Sequence, residues 1–304
     1  MSTNAKGVLF AAATALIWCF FILLSRLSTR SDFNAFDLGF LRFSSAGLTV
    51  LLILLLRRGG GPHFAGVTPA RALVLALFGG AGFSALAYTA FMYAPAAHGA
   101  VLMSGALPLP TALVALLVLG ETISRRKALG LAAIIGGVAL VGVHSIRDAP
   151  PDAWIGDICF PLAAVSWAFF VAYMRKWKVG PIDATILVCL ICCVIYVPAY
   201  LLWAPKKLLV APLATILLTS FFQGVIALVV SMWCFNRAVA ALGATRTTMI
   251  TAVVPGVSAL IAVPLLGEPL SLFLVLGVAA VTAGMLIGVT GGAPRTPLPA
   301  AAAS

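Results

Sequence analysis

Trp18 and Trp167 each lie near the middle of a long apolar run, where an indole face can hold a cation or an apolar ring. Each belongs to a stripe at helical spacing. Thr14, Trp18, Phe21 and Ser25 share one helix face, and Phe160, Ala163, Trp167, Phe170 and Met174 share another, with Ser166 beside them. Ser84, Tyr88 and Phe91 follow a further stripe, and another run supplies Gln223, Ser231, Trp233 and Asn236, whose polar atoms need partners inside hydrocarbon. A third kind adds prolines: Met103, Ser104, Pro108, Pro110 and Thr111, then Thr247, Thr248, Thr251, Pro255 and Ser258. Aromatic faces, hydroxyls and amides bind by non-covalent contact, so these groups suit recognition more than bond making.

Catalytic constellations are missing. The chain contains no GxxxxGK[ST], HExxH or GxSxG, so neither ATP hydrolysis nor proteolysis is expected. His63, His98 and His144 are too scattered for a metal site. Cys189 and Cys192 form a lone CxxC among six cysteines mostly in apolar runs, which reads as packing. We expect no enzyme, no catalytic residue, no metal and no cofactor.

The elements that must position these stripes follow from composition. Charged residues make up 9% of the 304 positions and mean hydropathy is +1.15, whereas soluble domains carry roughly 25% charge. The chain reads as an integral membrane protein. Runs of about 20 apolar residues predict ten spans: 7–26, 36–56, 71–93, 97–120, 126–145, 154–174, 183–203, 213–236, 243–266 and 271–290. The first is too long for a signal peptide and lacks a small-residue cleavage pattern.

Lysine and arginine set the expected orientation. With the N-terminus inside, thirteen fall in cytoplasmic segments and five outside, with Arg42 left within the second span. The positive-inside rule then places both termini in the cytoplasm. The net charge of +11 is thus a topology signal spread over short loops, and no nucleic-acid partner is expected.

The spans repeat. An offset of 147 superposes Pro108 on Pro255, Gly120-Glu121 on Gly267-Glu268, Gly130 on Gly277 and Gly137 on Gly284, while an offset of 149 brings Gly7, Trp18, Phe21 and Arg26 onto Gly156, Trp167, Phe170 and Arg175. Gly99-Ala100 falls on Gly243-Ala244 after a short insertion. Residues 1–149 form one five-span repeat, 150–290 a second, and 291–304 a tail expected to be a disordered cytoplasmic segment. An odd number of spans inverts the second repeat, the arrangement that suits alternating access. Basic residues follow Glu121 but not Glu268, as inversion requires. Each glutamate is expected to brace a gate near the start of the helix that follows it, favoured by that helix's dipole.

Two five-helix repeats, each with a tryptophan in its first helix and a Pro-to-Gly-Glu ending to its fourth, resemble the drug/metabolite transporter superfamily. More narrowly, the chain is similar to EamA-type bacterial exporters, including ten-helix aromatic amino acid exporters. The resemblance implies an all-α integral membrane protein of ten transmembrane helices, built as two inverted repeats around a central cavity. It implies that helices one, three, four, six, eight and nine line the cavity, with five and ten peripheral. It further implies a bacterial inner-membrane exporter, monomeric or weakly homodimeric, whose partners are the lipid bilayer and a small molecule such as an amino acid.

On these grounds the candidate substrate-binding residues are Trp18, Phe21, Tyr88, Phe91, Met103, Ser104, Trp167, Phe170, Trp233 and Thr248. Pro108, Pro255, Glu121 and Glu268 are candidates for helix kinks or gates. A deep tryptophan reads equally as a helix-packing residue, and a proline as a packing kink. Arg42 is expected to snorkel outward. Small-residue ridges, Ala132 to Gly136 and Ala133 to Gly137 in helix five and Ala280 to Gly284 to Gly288 in helix ten, mark close helix contacts. All eight acids lie at span ends or in loops, so flux is expected to follow the substrate's own gradient, with His98 the first candidate should a proton drive it. Rival cargoes are cationic drugs, nucleotide sugars and phosphorylated metabolites.

Overall fold

Hydrocarbon offers no partners to backbone amides, so each apolar run satisfies its own as a helix. The computed structural model describes residues 3–56, 67–147, 149–268 and 271–289. The tail 291–304 lies outside the described residues, as do Arg57, Arg58 and Arg295. Ten helices are long and apolar enough to cross a membrane: α1 (Thr3–Arg30), α2 (Ala35–Leu56), α3 (Pro69–Tyr93), α4 (Ala96–Leu119), α5 (Arg125–Arg147), α6 (Ala153–Lys176), α7 (Pro181–Trp203), α8 (Leu213–Leu242), α9 (Ala244–Leu266) and α10 (Leu272–Val289). We call the face where α1 begins the near face and the other the far face.

The helix ends are set by local chemistry. At the start of α2, the Asn34 and Asp37 side chains each accept the other's backbone N–H at 2.9 Å, a reciprocal cap. Both α4 and α9 stop at a left-handed glycine, Gly120 with φ 68° and Gly267 with φ 65°, a conformation that glycine adopts without a Cβ clash. That is why each repeat spells Gly before Glu.

Several helices are irregular inside. Leu77–Ala81 in α3, Ala100–Gly105 in α4 and Phe221–Val230 in α8 are wound as π-helix, a winding frequent at functional sites. Pro108 starts the second piece of α4, and Pro255 is the second residue of the second piece of α9, Val254–Leu266, after a break at Ala252–Val253. A proline at a helix start gives up an N–H that would be unpaired there anyway, so both sit at breaks in otherwise continuous spans.

The inversion is visible where α5 meets α10. A Cβ on Gly130 would fall 2.5 Å from Gly284 O, and one on Gly137 would fall 2.7 Å from Gly277 O. Gly130 is equivalent to Gly277 and Gly137 to Gly284, so equivalent residues exchange partners across two antiparallel helices. A two-fold axis between the helices produces that pattern. The close contact is therefore within one chain, and it uses Gly130 and Gly137. Gly136 instead faces open space, because one residue turns the helix surface by about 100°.

The cysteines pack. Cys192 Sγ lies 3.5 Å from Ala76 O, and glycines open room for the thiols: a Cβ on Gly80 would meet Cys192 and one on Gly47 would meet Cys193.

Candidate functional site

A cavity of about 630 Å³ runs inward from the near face, where Lys127, Arg175 and Ala244 line its mouth. Beyond it lies a chamber of about 110 Å³. Trp18, Ser104, Leu107, Trp167 and Met232 line both spaces, so the two equivalent tryptophans stand where they join.

Aromatic packing fixes that neck. Trp18 stacks on Phe235 with ring centres 5.6 Å apart, and Trp167 packs against Phe83 at 5.3 Å and Phe170 at 5.1 Å. Phe21 and Met103 line the inner chamber, while Phe170, Thr248, Pro108 and Pro255 line the larger space. The breaks at the prolines thus face the cavity.

Three expected residues lie elsewhere. Tyr88 and Phe91 are fully buried behind Phe21, with ring centres 6.1 and 6.3 Å from it. The Tyr88 hydroxyl donates to Gln223 Oε1 at 3.1 Å, and Gln223 Nε2 donates to Ser25 Oγ at 3.0 Å, a polar chain that ties α3, α8 and α1 behind the chamber. Trp233 is 46% exposed and packs edge-on against Phe10. Ser231 on the same helix lines the chamber, and two residues further the helix has turned about 200° away from it.

Arg42 does the opposite of snorkelling. Its side chain is buried and lines the inner chamber. Nη1 donates to Gln223 O at 3.1 Å, and the guanidinium lies 5.3 Å from the centre of the Phe21 ring. Among the described residues no carboxylate pairs with it. A charged residue inside a span is by default a functional signal, and that signal was present in the sequence. Helices five and ten also differ from the implied periphery: Gly130, Leu131 and Ile134 of α5 and Gly284, Met285 and Gly288 of α10 line the larger space.

The far face is shut by an ion pair. Arg26 Nε donates to Glu268 Oε1 at 3.1 Å, while Arg26 Nη1 donates to Phe91 O at 2.7 Å and Met92 O at 3.2 Å. Glu268 Oε2 accepts the Ala96 N–H at 2.8 Å. The carboxylate therefore caps the start of α4, not of the helix that follows it. Arg30 Nη1 donates to Leu266 O at 3.0 Å, placing cations at the carboxyl ends of both α3 and α9, where the helix dipole favours them. At the near face Arg175 pairs with Glu121.

Comparison with known proteins agrees with this architecture. The profile of the EamA-like transporter family matches residues 5–143 and again 154–290. An uncharacterized transporter of Bacillus subtilis (strain 168), YyaM, is 27% identical over 255 residues, spanning 81% of each chain. A solved crystal structure superposes with a TM-score of 0.63 at 20% identity, covering 93% of this chain and 96% of that one.

Proposed function

The chain belongs to the EamA-like transporter family, and on that premise we propose that it exports amino acids, aromatic ones preferred, by alternating access. It is a multi-pass membrane transporter and not an enzyme. The finer reading rests on Arg42. A guanidinium with no carboxylate partner among the described residues, in a chamber walled by Phe21, Trp18, Phe83 and Trp167, suits a small molecule with one carboxylate and an apolar or aromatic body. A cationic drug would meet repulsion there. A phosphorylated metabolite would call for several converging cations, and among the described residues the chamber lining contains one, Arg42.

The larger cavity then admits substrate, the two tryptophans grip it, and the chamber orients its carboxylate. Residues 1–149 and 150–290 act as the two moving halves, with Pro108 and Pro255 at their hinges and the pairs Arg175–Glu121 and Arg26–Glu268 at the near and far gates. The near face is the cytoplasmic side of a bacterial inner membrane, by the distribution of basic residues. Purified protein in liposomes should exchange labelled phenylalanine faster than empty liposomes, and no difference between them would sink the reading.

A further inference from the structure

Outside the cavity, the far face holds a buried acid–base pair. His98 Nδ1 stands 2.7 Å from Asp157 Oδ1, with the His98 side chain fully buried and that of Asp157 15% exposed. Among the described residues each partner keeps one further buried atom with no hydrogen-bond partner, His98 Nε2 and Asp157 Oδ2. Leaving such an atom unpaired forfeits its hydration with nothing in return, a cost that a purely architectural contact would avoid with apolar side chains.

The inverted repeat supplies that comparison within the same molecule. The offset of 149 that superposes the first helices of the halves brings Asp157 onto Val8. At the near face Gly7, next to Val8, packs against Leu242. At the far face its equivalent Gly156, next to Asp157, packs against Ala90 and Ala94. The same close approach of helices is thus made twice, and at the position after the glycine the far copy carries a carboxylate, Asp157, where the near copy has Val8.

We infer that the His98–Asp157 pair is a proton-binding site that couples transport to a proton gradient. With Asp157 ionised, Nδ1 carries the hydrogen shared with Oδ1, and Nε2 presents a lone pair with no donor. A proton arriving at Nε2 forms an imidazolium beside the carboxylate, cancelling the pair's net negative charge. Its departure restores that charge, and no other reactant is consumed.

The site also adjoins the far gate. His98 lies one helical turn or less from Ala96, whose N–H holds Glu268. The helices packed against it carry Arg26 and Arg30 of α1 and Glu268 beyond α9, and His144 of α5 lies against it, with its ring centre 5.2 Å from that of His98 and its Nδ1 2.8 Å from Ser271 Oγ. From α3 come the carbonyls of Phe91 and Met92. Loading a proton at His98 therefore changes the charge balance of the groups that hold α1, α4 and α9 together.

The inference rests on the transport reading, so its test separates the two. Uptake of labelled phenylalanine into liposomes is measured at equal pH and with an acidic lumen, for the wild type, His98→Gln and Asp157→Asn. One proton exchanged per substrate predicts about tenfold accumulation per pH unit in the wild type. In both variants the ratio of gradient-driven to equal-pH uptake should fall to that measured without a gradient. A wild type that exchanges phenylalanine but ignores the gradient, or variants that accumulate it as the wild type does, would overturn the proton site. Should the wild type exchange no phenylalanine, the amino acid reading fails and the proton site is judged alone. The three histidines make ¹⁵N-histidine NMR of the full chain assignable by the signal missing in His98→Gln. The His98 signal should pass between imidazole and imidazolium patterns with pH and respond differently in Asp157→Asn; a His98 signal indifferent to pH overturns the inference.

Discussion

Arg26 and Glu268 meet at 3.1 Å across the far face, and their equivalents Arg175 and Glu121 meet across the near face. Each pair joins the first helix of one repeat to the end of the fourth helix of the other. Their surroundings differ. The far pair is 10% exposed on both sides, whereas Arg175 is 48% and Glu121 19% exposed. One device, used twice in opposite orientations, is desolvated at the closed end of the cavity and solvated at its mouth.

That difference sets the expected cost of breaking each pair. Glu268→Ala leaves the buried Arg26 guanidinium and the Ala96 N–H without their carboxylate, and removing one partner of a buried pair costs about 3–5 kcal/mol. Glu121→Ala removes a solvated pair worth about 0–1 kcal/mol. Thermal unfolding in detergent should therefore show a large loss of Tm for Glu268→Ala and little change for Glu121→Ala. Equal losses would mean that the far pair is not desolvated in solution.

Much of this architecture was legible in the chain. Spans of about 20 apolar residues and the two Gly-Glu endings gave helices whose ends differ from expectation by a few residues, because hydrocarbon leaves the backbone no alternative to a helix. Individual contacts were harder. Arg26 and Glu268 are 242 positions apart and His98 and Asp157 are 59 apart, so helix-face patterns could not pair them. Side-chain direction also mattered within α8: Ser231 lines the chamber, and Trp233, two residues on along the regular helix Ser231–Leu242, faces away from it.

Three of the six tryptophans make a second test. Trp18 and Trp167 line the neck between the two spaces, whereas Trp233 packs on Phe10 outside them. Stabilisation of the wild type by added phenylalanine, read as a rise in Tm, should be lost in Trp18→Ala and Trp167→Ala and kept in Trp233→Ala. Loss in Trp233→Ala alone would move the site off the cavity.

Arg42 offers a test of what the chamber recognises. A hydrogen bond to a charged partner is worth about 1.5–3 kcal/mol, which corresponds to roughly a tenfold to hundredfold change in affinity. Arg42→Gln should weaken phenylalanine binding by that range while not weakening phenethylamine, a cation without a carboxylate, which is relieved of the guanidinium's repulsion. An equal loss for both ligands would make Arg42 a support for Phe21 and Gln223 and not a carboxylate anchor.

Adjacent glycines in α5 test the inverted contact most directly. A Cβ on Gly137 would lie 2.7 Å from Gly277 O and 3.1 Å from Val281 N, both backbone atoms that cannot turn aside, while one on Gly136 meets nothing within 4 Å. Gly137→Ala must therefore push α5 away from α10, an overpacking cost of about 1–3 kcal/mol. Gly136→Ala adds a better helix former in open space and should stabilise by about 0.5–1 kcal/mol. Tm should fall in the first variant and hold or rise in the second, and because α5 and α10 cross beside the cavity, phenylalanine exchange should slow only in the first. The reverse order would show that the small-residue ridge through Gly136 makes the contact, and with it that the equivalent glycines do not exchange partners across a two-fold axis.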